Sequence, residues 1–488
     1  MLQQNKFSLV NTFIVIFGAL ALFYVFYKGA TNSFTHDESY TYTRYVYKST
    51  WDIITYNASD VIPNNHILNT LLMKLFQFFF GSSELVLRLP NMLAYVAFLV
   101  FSIRWLKKMN NDWLLVIGLI ALHANPYLLD FFALARGYGL SISFMFISFY
   151  FFYNFISSAR EKELWLSFLF AALAVCSSFI LLNYYIALLV VYNIFCLLKL
   201  IKTRQSLGDK VKAILIGNKY PLLITGILVA VIFKSLITIS GDLFGPSAGF
   251  WTNTARSLIY CSTYRKLGDA VDYLSIFAAI VLIASAVLYI YDLYKSGFNI
   301  NASPHLVILL LVVIPACMTI LQHVLLKVPY LENRTGLFFA VLFHIGFVYL
   351  LYFLVSKYKF FFLPILAGTS YAGILLYIFI HGYSLSYYSD WDYDSKTKEV
   401  LKMLEEEHHR VPPGSEKTRL GITWIFEPGI NFYRQTKKLD WLAEVNRDGY
   451  QGEFDYYYVQ NDSVFIHSGD RIILKDYAAI QCVLAKHR

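Results

Sequence analysis

The chain has 488 residues, of which 57% are hydrophobic and 15% charged, with a mean hydropathy of +0.52. That composition excludes a soluble multidomain protein and fits one that crosses a membrane many times. The net charge of +9 does not argue for nucleic acid, because the lysines and arginines sit mainly in short connections between apolar runs, where they orient spans.

With about 20 apolar residues needed to cross a bilayer, the hydrophobic runs predict about eleven spans. They fall at 9–27, 85–106, 113–130, 138–156, 164–182, 184–201, 220–239, 273–293, 305–326, 336–355 and 360–380. The first is too long for most signal-peptide cores and lacks a small-x-small cleavage site, so it reads as a retained anchor. Basic residues fall on alternate connections: Arg104, Lys107 and Lys108; Arg160 and Lys162; Lys199, Lys202, Arg204, Lys210, Lys212 and Lys219; Lys357 and Lys359. By the positive-inside rule these connections are cytoplasmic. The amino terminus is then inside, and residues 28–84 form the first extracytoplasmic loop. Short loops and the absence of a retention signal favour a bacterial inner membrane, with the segment from residue 384 onward in the periplasm.

Two features of the first loop are informative. THDESY at 35–40 sets adjacent carboxylates, Asp37 and Glu38, just beyond the first span. Further on, Leu68, Leu71, Leu72, Leu75, Phe76 and Phe79 recur at helical spacing, with Asn69, Thr70, Lys74 and Gln77 on the other face. The predicted helix, 67–80, would be roughly 21 Å long at about 1.5 Å per residue, too short to span. It should lie along the membrane surface, half buried. Tyr40, Tyr42, Tyr45, Tyr47 and Trp51 suit either sugar stacking or an interfacial aromatic belt.

Residues 384–488 differ in composition and predict a small soluble α/β domain. A helix is expected at 397–408, strands at 420–425, 454–459 and 480–486, and a short helix around 431–435. The run DWDYD at 390–394 lacks the glycine and distal glutamate of a calcium loop and reads as a solvated linker. The five cysteines show neither CxxC nor zinc-site spacing.

A carboxylate within reach of an acceptor hydroxyl can act as general base. If the leaving group is a phosphate it needs no proton, and the site instead needs positive charge to hold it. Arg334 and Arg136 are candidates for that charge, the alternative being interfacial snorkelling. Asp130 lies where a carboxylate is costly unless paired or functional, and an ion pair with Arg136 is the structural alternative. His36 and His66 with Asp37 or Glu38 leave a divalent metal open, although their spacing matches no recognised site.

Three segments together, THDESY, NNHILNTLLMKLFQFFFGSSELVLRLPNML and ANPYLLDFFALARGYGL, resemble the GT-C superfamily of integral-membrane glycosyltransferases. The resemblance is to the protein O-mannosyltransferase and aminoarabinose transferase group (family 39-like, bacterial), and it covers roughly residues 9–200. It implies a GT-C-like transmembrane module at 1–383, and an inverting transferase that moves a sugar from a polyprenyl-phosphate donor to a lipid, glycan or protein acceptor outside. Asp37 would be the base, with Glu38 and Asp130 as further candidate catalytic acids. Arg334 would match a late-loop arginine at the donor phosphate, with Arg136 and His66 as further phosphate-binding candidates. His66 stands where aminoarabinose transferases carry lysine, so it binds phosphate only if protonated or hydrogen-bonded. Membrane lipid is an expected partner and nucleic acid is not. The rival reading, a transporter or flippase of lipid-linked sugars, usually places paired polar groups and broken helices near mid-membrane.

Overall fold

The computed structural model describes residues 2–57, 64–201, 203, 206–239, 245–300, 305–410, 412, 416–460, 462 and 471–488; Lys202 and Arg204 of the basic connections lie outside them. Among the described residues, nine helices are long and apolar enough to cross a membrane. They are Leu9–Thr31, Glu84–Lys107, Gly137–Ser158, Phe179–Leu200, Lys219–Ile239, Ala270–Lys295, His305–Leu326, Asn333–Lys357 and Phe362–Gly382. The chain is a polytopic α-helical membrane protein.

Two expected spans look different. The third is a pair of helices, Asp112–His123 and Pro126–Phe132, bent by 67°. The break has a local cause, since a residue before proline is pushed out of the helical region. Asn125 is extended (φ −129°, ψ 105°), and its side chain caps the second helix by accepting from the Leu128 N–H at 3.1 Å. The fifth is the 17-residue helix Glu161–Ser177, roughly 25 Å long at about 1.5 Å per residue.

The side chains decide whether both cross. Arg88, at the start of the second span, bonds Glu38, and Arg136, just past the bent pair, bonds the Asp37 carbonyl. The second span therefore leaves the Asp37 face and the bent pair returns to it. Span Gly137–Ser158 leaves again, while Cys176 and Ser178 line the same cavity as Asp37, so helix Glu161–Ser177 brings the chain back. With the bent pair counted as one span, length and composition give ten among the described residues, and the remaining expected span corresponds to the shorter helix Glu161–Ser177.

Helix Ile67–Phe80 has the bounds the periodicity predicts. Its polar face points into the protein: Asn69 and Thr70 are buried, Asn69 donating to the Ala135 carbonyl at 2.9 Å and Thr70 to Asn65 Oδ1 at 2.7 Å. Leu75, Phe78, Phe79 and Phe80 are exposed, the arrangement of a helix whose apolar face meets lipid.

Beyond the last span, helix Thr397–His408 precedes a sheet that has four strands among the described residues, β1 (Leu420–Ile422), β2 (Tyr456–Gln460), β3 (Arg471–Tyr477) and β4 (Cys482–His487). The order is β1-β2-β4-β3, with β1 and β2 parallel and the other pairs antiparallel. The first predicted strand stops early because Trp424–Phe426 forms a 3-10 turn into helix Glu427–Thr436, whose first turn holds Pro428, where its missing N–H costs nothing. Strand β3 has no counterpart in the sequence reading. The tail packs directly on the first loop: the Phe34 and Phe432 rings stack at 4.3 Å, and the Phe34 N–H donates to the Tyr433 hydroxyl at 2.7 Å. The two therefore share one face of the membrane.

Candidate active site

The turn after the first span is built around Glu38. Thr35 caps helix His36–Thr41, and its backbone N–H donates to Glu38 Oε2 at 2.9 Å. Arg88 closes a two-point pair with Glu38, from Nε to Oε1 at 2.8 Å and from Nη2 to Oε2 at 2.7 Å. The Ala135 N–H adds a further bond to Oε1 at 2.6 Å. The remaining Arg88 donors reach the carbonyls of Gly29, Asn32 and Ser33. Both side chains are fully buried. Glu38 is thus engaged in joining the first span, the second span and the bent pair, and it does not line the cavity.

Asp130 is engaged in a comparable way. It pairs with Lys28 rather than with Arg136, accepts from the Tyr24 and Tyr264 hydroxyls, and receives the Ser389 N–H at 3.4 Å. The alternative foreseen for Asp130, a structural ion pair, is what is observed, but with a different cation.

Asp37 faces a cavity of about 490 Å³. Arg136, His66 and Arg334 line it too, so four of the six candidate residues come together from segments far apart in the chain. Nη2 of Arg136 and Nη2 of Arg334 both lie 3.4 Å from Asp37 Oδ2. Arg136 is buried and held by the Asn64 carbonyl at 3.1 Å and the Thr41 hydroxyl at 3.3 Å, with Nη1 also 3.4 Å from the Asp37 carbonyl. Its Nε has no partner. Arg334 lies over the Trp391 ring at 5.1 Å and reaches Asp390 Oδ2 at 3.4 Å.

The electrostatics follow from these neighbours. Burial alone would raise the Asp37 carboxyl, but Arg136 and Arg334 outweigh it and hold it below its ordinary value of 3.8. It is therefore a carboxylate at any physiological pH. Burial, reinforced by Arg136, drives His66 well below its ordinary 6.5. His66 is thus a neutral imidazole with a buried, unpartnered Nε2, and it can meet a phosphate or hydroxyl through a hydrogen bond but not through charge. Burial also lowers His36, whose Nδ1 lies 2.6 Å from the Ile425 carbonyl.

The 390–394 run is not a solvated linker. The Asp390 side chain is buried and accepts from Tyr127 and Arg265, each at 2.9 Å, besides Arg334. Asp394 is buried and accepts the His36 N–H at 2.6 Å. The run fastens the tail to the cavity wall, and burying its acids is tolerable because they are paired or hydrogen-bonded. The tyrosine cluster divides: Tyr42 and Tyr45 are core, Tyr40 lines the cavity, and Tyr47 and Trp51 are exposed. Among the described residues, no three His, Cys, Asp or Glu side chains are grouped so as to hold a metal ion.

Sequence reasoning missed Lys28, Arg88, Asp390, Trp424 and Arg447. A charge within an apolar span, as at Arg88, signals a buried partner, and the same signal was available at Lys28. Nothing local marks Trp424 or Arg447, which line the cavity from the tail.

No protein-family model and no curated protein matches the sequence. Among solved structures, the chain is similar to ArnT from Cupriavidus metallidurans in the apo state, at 12% identity and a TM-score of 0.43, over 97% of this chain and 98% of that one. The same enzyme bound to undecaprenyl phosphate aligns at 11% identity and a TM-score of 0.43, with the same coverage. An oligosaccharyltransferase from Archaeoglobus fulgidus, in complex with Zn and sulfate, aligns at 11% identity and a TM-score of 0.48, over 92% of this chain and 68% of that one. Likenesses at these identities and TM-scores identify neither a family nor an activity, so function has to be read from the site itself.

Proposed function

We propose that this protein is an inverting glycosyltransferase of GT-C type, which moves a sugar from a polyprenyl-phosphate donor to an acceptor on the extracytoplasmic face of the membrane. The observation that carries the reading is one carboxylate, Asp37, facing a cavity of about 490 Å³ between two arginines. A carboxylate beside the acceptor hydroxyl and cations beside the leaving phosphate are what such a transfer needs.

In this mechanism the acceptor oxygen attacks the anomeric carbon and its proton passes to Asp37. The bond from that carbon to the phosphate oxygen breaks with inversion, and polyprenyl phosphate leaves carrying one more negative charge than it had in the donor. Arg136 and Arg334 take up that charge. Both are paired with Asp37, and a donor phosphate that draws them away would release the carboxylate to act as a base. His66 contributes a hydrogen bond from its neutral ring. Glu38 and Asp130 act by holding the frame.

The outward apolar face of helix Ile67–Phe80 supports entry of the donor from lipid, at the depth of its phosphate. The division into a membrane module at 1–383 and an extracytoplasmic unit at 384–488 belongs to the same proposal. So does a bacterial inner-membrane location with the amino terminus in the cytoplasm, which the alternation of basic connections in the sequence supports. The reading is tested by supplying purified protein with radiolabelled polyprenyl-phosphate sugars and a membrane extract as acceptor. Transfer of label with release of polyprenyl phosphate is expected; movement of intact lipid-linked sugar across vesicles without bond cleavage would contradict it.

A further inference from the structure

We propose that Trp424 and Arg447 form a subsite for a saccharide acceptor on the water-side wall of the Asp37 cavity. The inference rests on the transferase reading and names the acceptor class that reading leaves open.

The cavity has two kinds of wall. Arg136 and Arg334 come from the membrane part and face Asp37, whereas Trp424 and Arg447 come from the tail. Among the described residues beyond 384, Trp424 is the one large aromatic side chain left exposed, at 51%. The other described tail aromatics are wholly or partly packed away, so an open indole here calls for an explanation. An interfacial anchor would sit on the outer surface; this indole lines the cavity.

Its surroundings suit a sugar ring. The Arg447 guanidinium lies between two aromatic rings, 5.5 Å from Trp424 and 5.6 Å from Tyr40, and its Nε donates to Glu427 at 3.2 Å. That carboxylate compensates part of the charge, so the wall offers N–H donors and a π face rather than a bare cation. A pyranose presents C–H groups on one face and hydroxyls around its edge, which match a π face and a ring of donors. An acyl chain would leave those donors unsatisfied, at a cost typical of a buried unpaired polar group.

The wall is also registered against the base. Trp424 directly precedes Ile425, whose carbonyl lies 2.6 Å from His36 Nδ1, and His36 directly precedes Asp37. The His36 ring meets the Trp424 ring edge-on at 5.8 Å. A sugar stacked on Trp424 is therefore held beside the carboxylate that would take its proton.

The test uses the full-length protein in detergent and two readouts. Tryptophan emission is followed while chitotriose, methyl α-D-mannopyranoside or a serine-containing peptide is added. A saturable change with a saccharide is expected in the parent and in Trp51→Ala, whose exposed indole lies outside the cavity, and should vanish in Trp424→Ala. In the transfer assay, Trp424→Ala and Arg447→Gln should each need about tenfold more acceptor extract for half-maximal rate, with the donor requirement moved less than twofold and Trp424→Phe restoring most of the loss. Saccharide titrations and acceptor dependence that Trp424→Ala leaves unchanged would overturn the subsite, as would peptide binding at Trp424 without saccharide binding. A parent that cleaves no donor would instead overturn the transferase reading, leaving the fluorescence titration to judge sugar binding separately.

Discussion

Glu38 gives both of its carboxylate oxygens to Arg88, at 2.8 and 2.7 Å, and this pair decides which of two adjacent acids is available for chemistry. The one-residue step from Asp37 to Glu38 on a helix turns the second carboxylate into the protein and leaves the first facing the cavity. The same buried pair ties the first loop to the second span, so the position of Asp37 depends on it.

Removing either partner should therefore unfold the site rather than tune it. A buried ion pair that loses one member leaves an uncompensated charge, typically worth about 3–5 kcal/mol. Arg88→Leu and Glu38→Gln are each expected to lower the thermal unfolding midpoint clearly in detergent, and by more than Asp37→Asn, because Arg136 and Arg334 keep bonds to the Asn64 carbonyl, the Thr41 hydroxyl and Asp390. Differential scanning fluorimetry of the three variants checks this.

The pH dependence of activity should report the arginines around Asp37. The folded-state carboxyl is depressed below 3.8, so the charged base persists above that value and is lost only as pH falls through the lowered one. Arg136→Gln removes one of the two opposing cations while burial remains, which moves the carboxyl upward. The acid limb of donor turnover is expected to shift to higher pH in Arg136→Gln, together with a weaker donor requirement for low salt. His66, held neutral, should add no limb near 6.5.

Gly137 follows Arg136 at the start of a span, where a Cβ would overlap the Ser177 carbonyl and come within 2.7 Å of the His66 ring. Gly137→Ala must displace the Ser177 backbone and His66 together, at a cost of at least about 1–3 kcal/mol for overpacking. Donor turnover is expected to fall at least about tenfold, and His66→Ala should not restore it, because the Ser177 carbonyl and the Cβ that alanine keeps remain in the way.

Asp390 holds Arg334 over Trp391, and is itself fixed by Tyr127 and Arg265. Asp390→Asn keeps the shape but removes the charge that positions the guanidinium. The expected result is about a tenfold rise in the donor concentration for half-maximal rate, equivalent to about 1.4 kcal/mol, with a smaller change in the maximal rate. Donor titrations of the variant and the parent measure the split.

These residues also show what a sequence discloses. Spans and the helix Ile67–Phe80 were legible because hydrophobic period and length are local properties, and Asp37 stood out because acids at a span end are few. The bend at Asn125-Pro126 was in the sequence as a residue before proline, yet the hydropathy of the run concealed it. Arg136 and Arg334 were legible as outer-loop cations, but their convergence on one carboxylate oxygen depends on how spans nearly 200 residues apart pack. Asp390 and Asp394 looked like linker acids because their partners, Arg265, Arg334 and the His36 N–H, are distant in the chain. Trp424 and Arg447 carried no local signal, since their role arises only when the tail closes over the first loop.

The most direct test of the account compares sugar transfer by the parent and by Asp37→Asn at equal folded amount, with the same radiolabelled polyprenyl-phosphate sugar and acceptor extract. Loss of a positioned general base typically lowers the rate by about 10²–10⁴-fold, and a fall of that size with unchanged donor binding is the expected result. Equal transfer by both proteins would contradict the assignment of Asp37 as the base.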